Sequence, residues 1–87
     1  MKKNYHFPLI NPVDFYDNQH YLDHIGEEMK EFEEEQDLEK KKKEAVDILH
    51  ASETFVRKYF ESIGANDFDH VRRTIIAKNR KRGYYKH

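Results

Sequence analysis

Apolar residues return every three or four positions between Tyr21 and Phe32. Tyr21, Leu22, Ile25, Met29 and Phe32 predict a helix from about Asp14 to Gln36. Asp37 then stands where an N-cap would, and a longer stripe follows: Ala45, Ile48, Leu49, Ser52, Phe55, Val56, Tyr59, Phe60 and Ile63. It predicts a second helix with this stripe along its inner side, running to about Ile63, with Gly64 as C-cap. A third helix is expected from Asn66 or Asp67 to about Arg80, apolar at Phe68, Val71, Ile75 and Ile76 and stopped by Gly83. No two-residue alternation competes with these helices, so the expected architecture is all-α, a bundle of three main helices. Residues 1–13 break the period. Pro8 and Pro12 bias their predecessors towards extended backbone, and this stretch reads as an irregular arm. Its Tyr5, Phe7, Leu9 and Ile10 are too apolar for a solvated tail, which predicts that the arm packs on the domain or on a partner subunit. Residues 14–87 form the helical domain, ending in a basic segment.

Length changes this picture. A chain of 87 residues buries only about 60–65% of the surface that its unfolded form exposes. A lone monomer is marginal, and a homodimer or a tetramer built from dimers is expected, with the second helix in the interface. There is no cysteine, which removes disulfides and thiolate metal sites and fits a reducing cytoplasm. No apolar run approaches the roughly 20 residues of a membrane span, so the expectation is a soluble, cytoplasmic protein without a membrane partner. The formal net charge of −1 hides an asymmetry. Lys30 is the one base between Glu27 and Glu35, whereas Arg72, Arg73, Lys78, Arg80, Lys81, Arg82 and Lys86 follow Asp69 with no acid among them. Both stretches fit solvated faces of a charge-rich protein. They also suit a nucleoside triphosphate, which takes metal ions on one side of its phosphates and Lys or Arg on the other.

The candidate chemistry lies in two carboxylate pairs at i, i+3 spacing, Glu28 with Glu31 and Glu44 with Asp47. Residues three apart share a helix face, and a short turn at Asp37 makes the two helices antiparallel neighbours, which brings the pairs roughly level. Spacing alone says little, because Glu-rich helices produce it constantly. The placement says more, since these acids border the apolar stripes, where a carboxylate loses solvation and needs a base or a metal beside it. Few bases lie along that border. Four carboxylates held close would raise one another's pKa, and a hard divalent ion with oxygen ligands relieves this, Mg2+ first.

The run Glu27-Glu28-Met29-Lys30-Glu31, then twelve residues, then Glu44-Ala45-Val46-Asp47, resembles the EExxE and ExxD signature of MazG-like, all-α nucleoside triphosphate pyrophosphohydrolases. Lys78-Asn79-Arg80-Lys81-Arg82-Gly83-Tyr84 resembles the KNxxRGY ending of many short phage and bacterial members. The resemblance implies an enzyme that cleaves a (deoxy)nucleoside triphosphate to the monophosphate and pyrophosphate, with Mg2+, or Mn2+ as a substitute, held by Glu28, Glu31, Glu44 and Asp47. It makes Glu27 a candidate outer acceptor or base for the attacking water, and a solvent-facing residue equally well, being about 100° round the helix from Glu28. Lys78 and Arg82 would neutralise the triphosphate and Asn79 would donate to it. Lys78 is expected on the inward edge of the third helix, in register with Val71 and Ile75. His24, four residues before Glu28, is a candidate substrate contact, and Tyr16, His20 and Tyr21 are further candidates for an aromatic platform. The twelve-residue gap is short for the family, and three helices where members commonly form a four-helix core imply that subunits complete one another. Two rivals stand beside this reading. One is a nucleic-acid-binding module on the basic segment, with Tyr84 and Tyr85 to stack on bases, which the acidic block disfavours. The other is a non-catalytic relative that binds a nucleotide or a partner protein.

Overall fold

The computed structural model describes residues 5–8 and 17–86. Within them the chain forms α1 (Asn18–Glu34), α2 (Leu38–Ser62) and α3 (Phe68–Lys81), with no strand, which is the all-α architecture that the apolar period predicts. α1 begins at Asp17, whose carboxylate accepts from His20 N at 3.0 Å; the expected start at Asp14 lies outside the described residues. It ends two residues before Gln36, because Glu35 turns to extended backbone and its carboxylate accepts from Gln36 N and Asp37 N at 3.1 and 3.0 Å. Asp37 then accepts from Lys40 N at 2.9 Å and caps α2. The Glu35 side chain satisfies two N–H groups of the turn and Asp37 one that the start of α2 leaves open, so the turn is tight and folds α1 back along α2.

On its own α1 is a poor helix. Gly26 sits in its middle with nothing within 4 Å of where a Cβ would stand, and its last turn has no base to meet the negative end of the helix dipole. Lys41 of α2 supplies that charge. Its ammonium donates to Phe32 O, approaches Glu35 O at 3.4 Å, and lies 4.0 Å from the centroid of the Phe32 ring. α2 ends at Gly64, φ +67°, where Ala65 N donates to Phe60 O at 2.8 Å. Gly83, φ +75°, closes α3 in the same way, with Tyr84 N donating to Asn79 O at 3.0 Å. Asp67 precedes α3 without a side-chain cap.

The core lies between α1 and α2 and centres on Tyr21 and Ala51, which are 6% and 5% exposed. The expected inner stripe of α2 is wider than α1 can cover: Leu49, Tyr59 and Ile63 are exposed, as are Leu22 and Met29 of α1 and Val46 of α2. α3 makes little backbone contact with the hairpin. Aromatic rings hold it instead: Phe68 meets Phe60 edge-on at 5.9 Å and stacks on Tyr5 at 4.9 Å. Tyr5–Pro8 of the arm therefore pack on the domain as expected, whereas Leu9 and Ile10 lie outside the described residues.

Candidate functional site

Glu28 and Glu31 of α1 meet Glu44 of α2 because the Asp37 turn brings the two helices level. One carboxylate oxygen from each lies within 4.8 Å of the others. Glu28 Oε2 and Glu44 Oε2 are buried and have no hydrogen-bond partner among the described residues. Glu31 brings a carboxylate oxygen within 4.8 Å of one from each. Ionised carboxylates have only acceptors, however, so that contact is repulsive until a proton or a cation enters it. Burial pushes the Glu28 carboxyl above its ordinary range and the Glu31 charge pushes it further, while His24 opposes and Asp47 adds to the rise. The Glu44 carboxyl is raised in the same direction by burial, by Glu31 and by the Asp47 and Glu28 charges. Such a set of carboxylate oxygens, with only His24 as a described basic neighbour, fits a hard divalent cation.

Asp47 stands outside the tight trio. It is exposed, its charge acts on Glu28 and Glu44, and with Glu28 it lines an open cavity of about 260 Å3. The rest of the cavity wall comes from His20, Tyr21 and His24 of α1 and from His50, Ala51 and Thr54 of α2. His24 Nε2 is 3.5 Å from Glu28 Oε1. Of the expected site residues, the fold thus brings Glu28, Glu31, Glu44, Asp47 and His24 together. His20 and Tyr21, expected only as ring candidates, join them. His50 and Thr54 were not anticipated, although their spacing from Asp47 at i+3 and i+7 places them on its helix face, which is a legible signal.

Glu27 is not brought in. Its side chain is 71% exposed and its ion-pair contact is His24 Nδ1, 3.5 Å away. α3 also stays apart, for Lys78, Asn79 and Arg82 line neither this cavity nor an ion pair with a described carboxylate. Lys78 is exposed, and Asn79 is half-buried together with Val71 and Ile76, while Ile75 is exposed. The helix is therefore turned by about one residue, roughly 100°, from the register that would have set Lys78 on its inward edge. Arg82 stacks over Tyr84, 5.1 Å from the ring centroid. No protein-family model matches the chain, and neither a curated protein nor a solved structure does.

Proposed function

We propose that the protein is a Mg2+-dependent nucleoside triphosphate pyrophosphohydrolase, releasing pyrophosphate and a (deoxy)nucleoside monophosphate. The observation that carries this reading is the convergence of Glu28, Glu31 and Glu44, with two buried oxygens left without partners, beside a cavity large enough to admit part of a nucleotide. The resemblance of residues 27–31, 44–47 and 78–84 to the MazG-like signatures supports the choice of chemistry. Glu28, Glu31, Glu44 and Asp47 would hold Mg2+, with Mn2+ as a substitute. What the ion supplies when bound is neutralisation of phosphate charge and a water of lowered pKa for in-line attack.

The chain's own residues do the rest. Glu28 links the trio to the cavity, because it belongs to both. His24, beside Glu28, and the rings of His20, Tyr21 and His50 offer faces and polar edges to a base or sugar. Glu27, at the rim, is left to orient His24. Lys78, Asn79 and Arg82 do not line this cavity, and in the homodimer or tetramer expected from the chain length they would meet the phosphates across a subunit boundary.

The deciding experiment is a screen for pyrophosphate release over the common ribo- and deoxyribonucleoside triphosphates, with and without Mg2+, beside Glu44→Gln. Release that needs Mg2+ and is lost in the variant supports the proposal. Mg2+-dependent nucleotide binding without turnover assigns the protein to non-catalytic relatives instead. One observation favours the nucleic-acid reading: Lys78, Arg80, Lys81 and Arg82 face solvent without a described carboxylate partner, next to exposed Tyr84 and Tyr85. Binding of single-stranded nucleic acid that weakens steeply with salt, with no pyrophosphate release, would transfer the function to that segment.

A further inference from the structure

Beyond the cavity, α2 carries a second constellation that the acidic site does not use. Glu53 Oε1 accepts from His6 N at 2.8 Å and lies 2.6 Å from His6 Nδ1, and its Oε2 accepts from Phe7 N at 3.1 Å. Arg57 Nη2 donates to Phe7 O at 2.6 Å, and its guanidinium stands 4.2 Å from the centroid of the Tyr5 ring. Two successive N–H groups on one carboxylate and the next carbonyl on one guanidinium make a clamp on the main chain. The His6 side chain adds its Nδ1 to the clamp although it is 72% exposed, whereas the Glu53 side chain is only 12% exposed. Burial alone would raise the Glu53 carboxyl, but the hydrogen bonds from His6 and Phe7 outweigh it and hold the group below its ordinary range. A buried carboxylate kept ionised by backbone donors is the stronger kind of hydrogen-bond partner.

The two rings flanking the clamp point to different parts of the fold. Phe7 stacks on His50, centroids 4.5 Å apart, and His50 is a wall of the acidic cavity. Tyr5 stacks on Phe68, the first residue of α3, a helix with little other hold on the hairpin. We infer that Tyr5-His6-Phe7 is a strap, fastened by Glu53 and Arg57, that sets the His50 ring in the cavity wall and seats α3 on the hairpin. Glu53 and Arg57 are then positioning residues for a cavity that neither of them lines. The two aromatic rings of the arm are what His50 of α2 and Phe68 of α3 meet, with His6 between them held to Glu53.

The test uses the full chain and reads structure, so its outcome is independent of whether the protein hydrolyses nucleotides. In NMR, the face of Phe7 shifts the His50 ring protons upfield. Phe7→Ala returns them to the position of an unstacked histidine. Tyr5→Ala speeds amide exchange across α3 by roughly 2- to 13-fold, the equivalent of one aromatic pair, with α1 and α2 unchanged. Glu53→Gln does both at once although it is bonded to neither His50 nor Phe68, and His6→Ala does both to a smaller extent, because the two backbone N–H donors survive the loss of the ring. His50 signals and α3 exchange that stay as in the wild type in Glu53→Gln overturn the inference. So does exchange that quickens in α1 and α2 as much as in α3, which would make Glu53 a general stabiliser. If Glu53→Gln fails to fold, the two arm variants decide, since neither lies in a helix: unshifted His50 protons in Phe7→Ala, or unchanged α3 exchange in Tyr5→Ala, overturn it equally.

Discussion

Glu28→Gln should make the metal-free protein more stable. In the wild type, Glu28 Oε2 is buried without a partner among the described residues, and Glu28 faces the charge of Glu31 and an oxygen of Glu44. A buried polar atom left unsatisfied costs about 1–3 kcal/mol. The amide nearly keeps the shape, removes a charge and adds N–H donors that the neighbouring carboxylates can accept. His24, 3.5 Å from Glu28, now compensates part of the cost and loses that role in the variant, so the net gain should be about 1–2 kcal/mol, at the lower part of that range. For a domain of this size that is a rise in Tm of about 4–16 °C, out of a total stability of about 4–13 kcal/mol. The assay is a thermal melt by circular dichroism at neutral pH and low salt in the presence of a chelator, repeated with Mg2+. Glu39→Gln is the control, because Glu39 is exposed and, among the described residues, is paired with Lys42 at 3.1 Å, and its loss should change stability by less than about 1 kcal/mol. Mg2+ should raise the Tm of the wild type and of the control, by mass action on the folded state, and should leave Glu28→Gln nearly where it was. A Glu28→Gln protein that melts below the wild type in chelator would refute the reasoning, since it would mean that the carboxylate makes favourable contacts of its own and that the trio is structural.

The metal-free protein should gain stability as pH falls from neutral towards about 4.5, the ordinary Glu value, because folded Glu28 and Glu44 take up protons before the unfolded chain does. Below that value Glu53, whose folded pKa is depressed, must be protonated against its hydrogen bonds and the arm's contribution is lost; a Tm that falls steadily from neutrality to about 4.5 would contradict this ordering. Lys78→Ala and Arg82→Ala should each weaken triphosphate binding or turnover by about 1.5–3 kcal/mol without changing Mg2+ affinity in the absence of nucleotide, whereas Lys86→Ala should do little, as calorimetry and kinetics on the three variants will show. Asp37→Ala, which removes the cap on Lys40 N, should cost about 1 kcal/mol and lower Tm by about 4–8 °C in the same melts.

The helices were legible because their signals are local. The apolar period set the three segments, and Asp37, Gly64 and Gly83 marked ends that depend on one side chain or one positive φ. The convergence of Glu28, Glu31 and Glu44 was legible too, since two i, i+3 pairs astride a tight turn leave little freedom. Lys78 was not, because the register of α3 depends on which side its rings find, and the Tyr5 and Phe60 partners of Phe68 are 63 and 8 residues away in sequence. The arm illustrates the same limit. Its apolar residues announced that it packs somewhere, yet nothing in Tyr5-His6-Phe7 names Glu53 or Arg57 as the place. His50 was missed for a different reason: its spacing of three from Asp47 put it on the acidic face of α2, but a histidine there reads equally well as an ordinary half-buried residue until Ala51 and Thr54 are seen on the same cavity wall.

The borrowed cap of α1 bears on the order in which the molecule is built. With Gly26 at its middle, acids through its second half and its C-terminal charge supplied by Lys41, α1 lacks the means to persist as an isolated helix. α2 is longer and has no glycine in its middle, so we expect α1 to depend on docking against it more than the reverse. The acidic trio exists only once α1 is docked on α2, and docking must work against the repulsion that the trio creates. A divalent cation present during folding would act as a clasp on that step, drawing α1 down onto α2, and in its absence α1 should be the first helix to open and exchange its amides.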